Sequence, residues 1–184
     1  MRSLLLLTIL AIPAAAPAQE PTRSRPMSEM HGTCSNYRAD LTHEFALMKE
    51  ADVAVAAGRS VAEASRMPVS KPVALGLVAQ GQVTFPVPPA QKRGGPDRFA
   101  GIVSLGELPK GQWRVSATSG VWVDLVSNST LLSSPTFEMQ TQCVDIFKSV
   151  VFELPAVGKV LLQINGAKDA HTRLLVTQIS VSDD

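Results

Sequence analysis

The spacing of apolar residues changes along the chain and divides it into a short helical part and a long β part. Four apolar residues recur at intervals of four, four and three residues: Tyr37, Leu41, Phe45 and Met48. This spacing places them on one stripe of an amphipathic helix and predicts one short helix over residues 36–50. Residues 51–66 are alanine-rich and contain Gly58. Their pattern fits either a helix or an irregular connection.

From Pro68 onward, apolar and polar residues alternate in short runs, which is typical of strands with one buried face. The runs are Val73–Leu77, Val83–Phe85, Phe99–Val103, Trp113–Ala117, Val121–Leu125, Val150–Leu154, Val160–Ile164 and Thr172–Val181. Turn residues separate them at Pro86–Pro89, Gly94–Pro96, Asn128–Thr130, Pro155–Gly158 and Asn165–Gly166. This spacing predicts an antiparallel β-sandwich of about eight strands over residues 68–181. No helical pattern alternates with the strands, which disfavours a parallel α/β sheet.

Residues 1–18 have the three parts of a secretory signal peptide. Arg2 supplies the positive start, Leu4–Ile12 form a short apolar core, and Ala16–Ala18 match a cleavage site before Gln19. The apolar core is too short to cross a bilayer as an anchor. We therefore expect a periplasmic or secreted protein with no membrane span after cleavage.

Composition supports one globular domain behind this leader. The chain has 184 residues, of which 45% are hydrophobic and 18% charged, and its formal net charge is +1. This charge gives no electrostatic basis for binding nucleic acid. We divide the mature chain into a flexible arm (19–33), a helical segment (34–67) and the β-sandwich domain (68–184), because residues 19–33 are rich in proline, serine and charge without periodicity.

Cys34 and Cys143 are the two cysteines of the chain. In an oxidising compartment an even count predicts a disulfide between them. A reactive thiol or a metal ligand is the alternative. The chain has no Cys-x-x-Cys motif, and neither cysteine has a neighbouring histidine, so the disulfide is the better hypothesis.

The histidines give no recognisable metal motif. His31 lies in the arm, His43 on the predicted helix and His171 in a late loop. His43 and the glutamate after it begin like the zinc-protease motif His-Glu-x-x-His, but Leu47 stands where the second histidine belongs. We therefore expect no metal and no cofactor. Nucleophile elbows and phosphate-binding loops are also missing from the sequence.

The most distinctive strand is Val121–Val126. If Val121, Val123 and Leu125 point inward, then Trp122, Asp124 and Val126 share the outer face. In one interpretation Trp122 packs under a loop and Asp124 pairs with a cation such as Lys148. In the other, Trp122, Asp124 and Lys148 form a ligand-binding surface of the kind that sugars and peptides use.

Several strand motifs resemble the pre-peptidase C-terminal type of domain, a small jelly-roll-like β-sandwich of secreted bacterial proteins. The motifs are Gly111–Val115 before Val121–Leu125, and Val151–Leu154 before Gly158–Ile164. Almost the whole mature chain is also similar to a group of small exported bacterial proteins. That group pairs an early cysteine with a Trp-x-Asp strand and a later Cys-x-x-Ile-x-Lys segment, here Cys34, Trp122–Asp124 and Cys143–Lys148.

The resemblance implies a jelly-roll-like sandwich and no established activity. Some members of the group are labelled homogentisate dioxygenases, but that iron chemistry needs two histidines and a carboxylate. Many relatives also have a His-Gly-His-Gly-like stretch before the later cysteine, where this chain has Pro135–Gln142.

Two functions stay open from the sequence. The leading hypothesis is a non-catalytic module of the bacterial cell envelope that binds a protein, a glycan or a small ligand. The alternative is a metal-dependent periplasmic enzyme that uses His43 or His171 with a carboxylate such as Asp124. The sequence does not determine the oligomeric state.

Overall fold

The computed structural model describes residues 27–179, which form eleven strands, one short α-helix and four 3-10 turns. The strands are β1 (Val53–Ala56), β2 (Val73–Gly76), β3 (Val78–Ala79), β4 (Phe99–Leu108), β5 (Gly111–Ala117), β6 (Trp122–Ser127), β7 (Thr130–Leu131), β8 (Thr136–Met139), β9 (Lys148–Leu154), β10 (Gly158–Ala167) and β11 (His171–Ile179). The helix α1 spans Thr42–Leu47, and the 3-10 turns span Met27–Met30, Cys34–Asn36, Val61–Glu63 and Gln80–Gln82. The predicted signal peptide lies outside the described residues.

The strands form two sheets, which confirms the predicted β-sandwich. One sheet has the order β1-β2-β11-β5-β9-β8 and the other the order β3-β4-β10-β6-β7. Apart from β1, β3 and β8, the strands have the order β2-β11-β5-β9 in one sheet and β4-β10-β6-β7 in the other, which is the strand order of a jelly roll. The described strands pair antiparallel, except that β1 runs parallel to β2.

The main core lies between the two sheets. Alternate residues of each long strand point inward and pack there, as the period of two predicts. The six-stranded sheet contributes Leu75, Val115, Phe152, Leu174 and Val176, and the five-stranded sheet contributes Val103, Leu105, Val123, Leu125, Leu162 and Ile164. Trp113 is also in this core, and its indole N–H donates to the carbonyl oxygen of Pro109 at 3.1 Å.

The N-terminal segment, residues 29–52, crosses the outer face of the six-stranded sheet, and we call it the strap. At one end a disulfide joins Cys34 to Cys143. Further along, the strap packs Leu41 and Met48 against Leu175 of β11 in a second apolar cluster. This disulfide is the predicted one.

The predicted helix over residues 36–50 is mostly wrong, because α1 covers only Thr42–Leu47. The carboxylate of Asp40 accepts the backbone N–H of Thr42 at 2.9 Å. Hydrogen bonds from the side chain and the backbone of Thr42 lower the pKa of Asp40. After the helix, Arg173 of β11 donates to the carbonyl oxygen of Met48 at 2.7 Å. A long-range side chain thus binds a carbonyl group that the next helical turn would need.

Residues 51–66, for which the sequence leaves a helix or an irregular connection open, contain the strand β1 and the 3-10 turn Val61–Glu63. Other expectations are corrected by the structure. The run Val83–Phe85 is not a strand, since the β4 edge already pairs with β3 and Gly58, and Thr84 donates to the Arg59 carbonyl instead.

The expected turn at Asn165–Gly166 lies inside β10, at a register shift opposite β4. The arm is also shorter than predicted, because Met30 is buried and its carbonyl oxygen accepts the N–H of Thr141 at 2.9 Å. Residues 19–26 of the predicted arm lie outside the described residues. None of the described helices is long and apolar enough to span a membrane.

Candidate functional site

Trp122 and Asp124 lie on the outer face of the five-stranded sheet, at the start of β6. Val123 and Leu125 point into the core, so the alternation along the strand turns Trp122 and Asp124 outward, as predicted. Trp122 is half-buried and Asp124 is buried. Residues 83–98, which we call the covering loop, account for part of this burial, because Ala90 and Arg93 of the loop contact these two residues.

The Asp124 carboxylate is bound by three neutral donors. One oxygen accepts the indole N–H of Trp122 at 2.9 Å. The other accepts the backbone N–H of Ala90 at 3.2 Å and the side-chain amide of Gln163 at 3.3 Å. Asp124 thereby fixes the indole ring and one point of the covering loop.

Two buried side chains, Asn165 and Gln80, hold the covering loop in place around Arg93. The Arg93 N–H donates to Asn165 Oδ1 at 2.8 Å, and Gln80 Nε2 donates to the Arg93 carbonyl at 3.0 Å. Gln80 Oε1 accepts the N–H of Gly166 at 2.7 Å, which links the loop to β10. Buried amides of this kind are stable only when hydrogen-bonded, so they specify one loop position.

Gly166 lets the loop approach β10 closely. Its φ is +73°, a conformation that favours glycine. A Cβ atom at this position would lie 2.4 Å from the Cβ of Arg93. Any side chain at residue 166 would therefore displace Arg93.

Two cations contact the ring of Trp122. The guanidinium carbon of Arg93 lies 5.3 Å from the ring centroid, and Lys148 Nζ lies 4.9 Å from it. Lys148 starts β9 in the other sheet and has the same alternation as the core residues Val150 and Phe152, so its side chain extends toward the five-stranded sheet. The site thus combines β6, β9 and the covering loop at one end of the sandwich.

Neither cation has a carboxylate in ion-pair contact among residues 27–179. Lys148 Nζ donates to the carbonyl oxygen of Val121 at 3.2 Å. Burial, and to a smaller extent the nearby charge of Arg93, lower the pKa of Lys148 from 10.5 to about 8, and the carboxylate of Asp124 offsets part of this shift. The site therefore holds excess positive charge.

The lowered pKa of Lys148 gives the first prediction. Trp122 fluorescence should change with a midpoint near pH 8, because the ammonium group at its ring loses a proton there. The single tyrosine, Tyr37, does not interfere, since burial raises its pKa above the usual range. Fluorescence titration of the parent and of Lys148→Met measures this, and the variant should show no transition near pH 8.

The free energy of unfolding should also depend on the protonation of Lys148. Below pH 8 Lys148 is charged in both states, and burial of that charge destabilises the folded protein. Between pH 8 and the ordinary pKa of 10.5, the unfolded chain binds more protons, so the contribution of Lys148 to stability rises with pH. A flat fluorescence signal from pH 7 to 9 in the parent would contradict this assignment.

The structure brings the three predicted site residues together, with a different pairing from the expected one. Trp122 does pack under a loop, as the first interpretation proposed. Asp124 binds the indole N–H rather than forming an ion pair with Lys148, which lies against the ring. Whether these residues bind a ligand stays a prediction.

The histidines are not brought together with Asp124. His43 lies on α1, whose strap covers the outer face of the six-stranded sheet, whereas Asp124 lies on the outer face of the other sheet. His31 and His171 are exposed, and His31 contacts Thr141 Oγ1 at 3.2 Å. Within the described part of the chain, no three His, Cys, Asp or Glu residues are grouped as metal ligands would be.

A shallow groove lies at the opposite end of β6. It has a volume of about 320 Å³ and contains none of the predicted site residues. Leu131, Leu132 and Leu154 are among its apolar lining residues, and Glu153 is its single charged one. Its polar lining residues are Ser127, Asn128, Thr130, Ser133 and Glu153.

Sequence reasoning missed Arg93 and the buried amides that place it. Arg93 falls in a glycine-rich loop, and its contact with Asn165 spans 72 residues of sequence. Gln163 and Asn165 occupy outward positions of β10, where polar residues usually indicate solvent exposure. The pair Asn165–Gly166 was the one usable signal, since a glycine inside an alternating run also marks a bulge or a close backbone approach.

The chain matches no protein-family model, no curated protein and no solved structure.

Proposed function

We propose that this protein is an exported, non-catalytic binding module of the bacterial cell envelope, and that its ligand contacts Trp122, Lys148 and Arg93. The observation that carries the proposal is the fixed covering loop, which keeps Arg93 at the ring of Trp122. Preorganised side chains on a rigid scaffold are what a binding site requires. A half-buried indole with adjacent polar groups is a common contact surface for ligands.

Export is supported by two independent features. The Cys34–Cys143 disulfide suits an oxidising compartment, and residues 1–18 have the pattern of a cleaved signal peptide. From the sequence resemblance to pre-peptidase C-terminal domains, we infer that the chain is one of these secreted sandwich domains. An envelope glycan, protein or small molecule is the corresponding partner.

The two tryptophans allow a direct test. Trp113 is buried in the core and Trp122 lies at the site, so their indole N–H resonances report on two separate places. We expect that glucose, glucuronate or N-acetylglucosamine, titrated to millimolar concentration in NMR experiments, shifts the Trp122 indole and leaves the Trp113 indole unchanged. If no probe shifts Trp122, or if both indoles shift alike, the proposed site is wrong.

A further inference from the structure

We infer that the ligand at Trp122 carries a carboxylate group that binds between Lys148 and Arg93. The inference rests on the proposed function and adds the chemical class of the ligand. The ligand class that we propose is a sugar acid.

Charge balance is the first argument. Arg93 and Lys148 bring two positive charges to one aromatic ring, and Asp124 brings one negative charge. Bringing like charges together in a partly buried place is unfavourable. One excess positive charge is complemented by a ligand with one negative charge, which a carboxylate supplies.

Unused hydrogen-bond donors are the second argument. Arg93 directs Nε and Nη2 to the side-chain oxygen of Gln91, at 3.2 and 2.9 Å. A guanidinium has five N–H groups and an ammonium has three, so both cations retain donors after their described contacts. Lys148 uses one donor on the carbonyl oxygen of Val121. Charge-assisted hydrogen bonds from these remaining donors would bind a carboxylate strongly.

The position of Asp124 is the third argument. A carboxylate that neutralised Lys148 would make a ligand anion unnecessary. Asp124 instead accepts from Trp122, Ala90 and Gln163, and no ion pair joins it to either cation. It fixes the ring and the loop, and leaves Arg93 and Lys148 available to an external anion. Arg93 is exposed, so a ligand has access from solvent.

The test compares glucuronate with glucose, which differ in the carboxylate at one carbon. We expect glucuronate to bind at least about tenfold more tightly, measured by the shift of the Trp122 indole resonance at constant ionic strength. Arg93→Gln and Lys148→Met should each remove most of this preference. The matched controls are Arg59→Gln and Lys159→Met, which delete the same charges at exposed positions outside the site.

The outcomes separate this inference from the proposed function. Equal binding of glucose and glucuronate would overturn the carboxylate inference and leave binding at Trp122 intact. No shift of Trp122 with glucose, glucuronate or N-acetylglucosamine would overturn both. Binding of glucuronate should also weaken as pH rises through 8, because Lys148 loses its charge there. Unchanged affinity from pH 7 to 9, or equal loss in the control variants, would contradict the inference.

Discussion

Replacement of both cysteines, Cys34→Ala with Cys143→Ala, is expected to lower the free energy of unfolding by about 5 kcal/mol. The bond closes a loop with a sequence separation of 109 residues. It thereby restricts the unfolded chain, and the entropy lost on folding is smaller with the bond than without it. Chemical denaturation of the double variant and the parent measures the difference.

The same denaturation in a reducing buffer provides the control. The reduced parent should unfold at the denaturant concentration of the double-alanine variant, since both lack the same constraint. The strap also has other contacts with the sheet, such as the hydrogen bond from Tyr37 to the carbonyl oxygen of Ile146 at 2.7 Å. A difference below about 1 kcal/mol in the free energy of unfolding between parent and double variant would contradict this prediction. It would mean that the other contacts hold the strap in place without the disulfide.

Breaking the buried ion pair between the strap and the six-stranded sheet should have the second largest effect. Glu44 of α1 and Arg114 of β5 lie 3.0 Å apart and are both buried. Glu44 also accepts the hydroxyl of Thr177 at 2.8 Å, and Arg114 donates to the carbonyl oxygen of Asp40 at 3.2 Å. Arg114→Met leaves the Glu44 carboxylate buried without its cation, which should cost about 3–5 kcal/mol.

A double-mutant cycle tests this explanation. Glu44→Leu combined with Arg114→Met removes both charges and should be closer to the parent than either single variant, because no unpaired charge stays buried. The exposed pair Lys71–Glu50, at 2.7 Å, is the matched control, and Lys71→Met should cost less than about 1 kcal/mol. Additive costs of the two buried substitutions would contradict the ion-pair explanation.

The apolar pattern predicts the sandwich but not every element of it. Alternation identifies the long strands because one face of each is buried in a common core. It misses β1 (Val53–Ala56), a mostly exposed edge strand made of valine and alanine, and β8, whose position depends on pairing with β9. These strands exist because of neighbours that are distant in sequence.

The helical stripe gives the correct contacts and the wrong local structure. Tyr37, Leu41, Phe45 and Met48 all join the second apolar cluster. Only Phe45 lies in the helix, because Asp40 binds the first turn and Arg173 binds the carbonyl oxygen after the last. The spacing of the apolar residues predicts which side chains pack against the sheet. The length of the helix depends on hydrogen bonds to residues outside it.

The candidate site was also predictable only in part. Alternation along β6 places Trp122 and Asp124 on one outer face, which the structure confirms. Arg93 could not be predicted, because the covering loop is held by side chains from other parts of the chain. From the sequence, the opposite charges of Asp124 and Lys148 favour an ion pair between them. The indole N–H of Trp122, two residues away on the same face, is the nearer donor.

The most direct test of the central claim, that a preorganised site lies at Trp122, is the NMR titration of the two indole N–H groups with glucuronate in the parent and in Gly166→Ala. The added methyl group displaces Arg93 and strains the backbone at a positive φ, while every charge is retained. Gly76→Ala is the matched control, because its Cβ would make an ordinary contact at 3.8 Å. We predict that glucuronate shifts Trp122 alone in the parent and in Gly76→Ala, and binds Gly166→Ala at least about tenfold more weakly. Equal affinity for all three proteins, or no shift of Trp122 in the parent, would contradict the account.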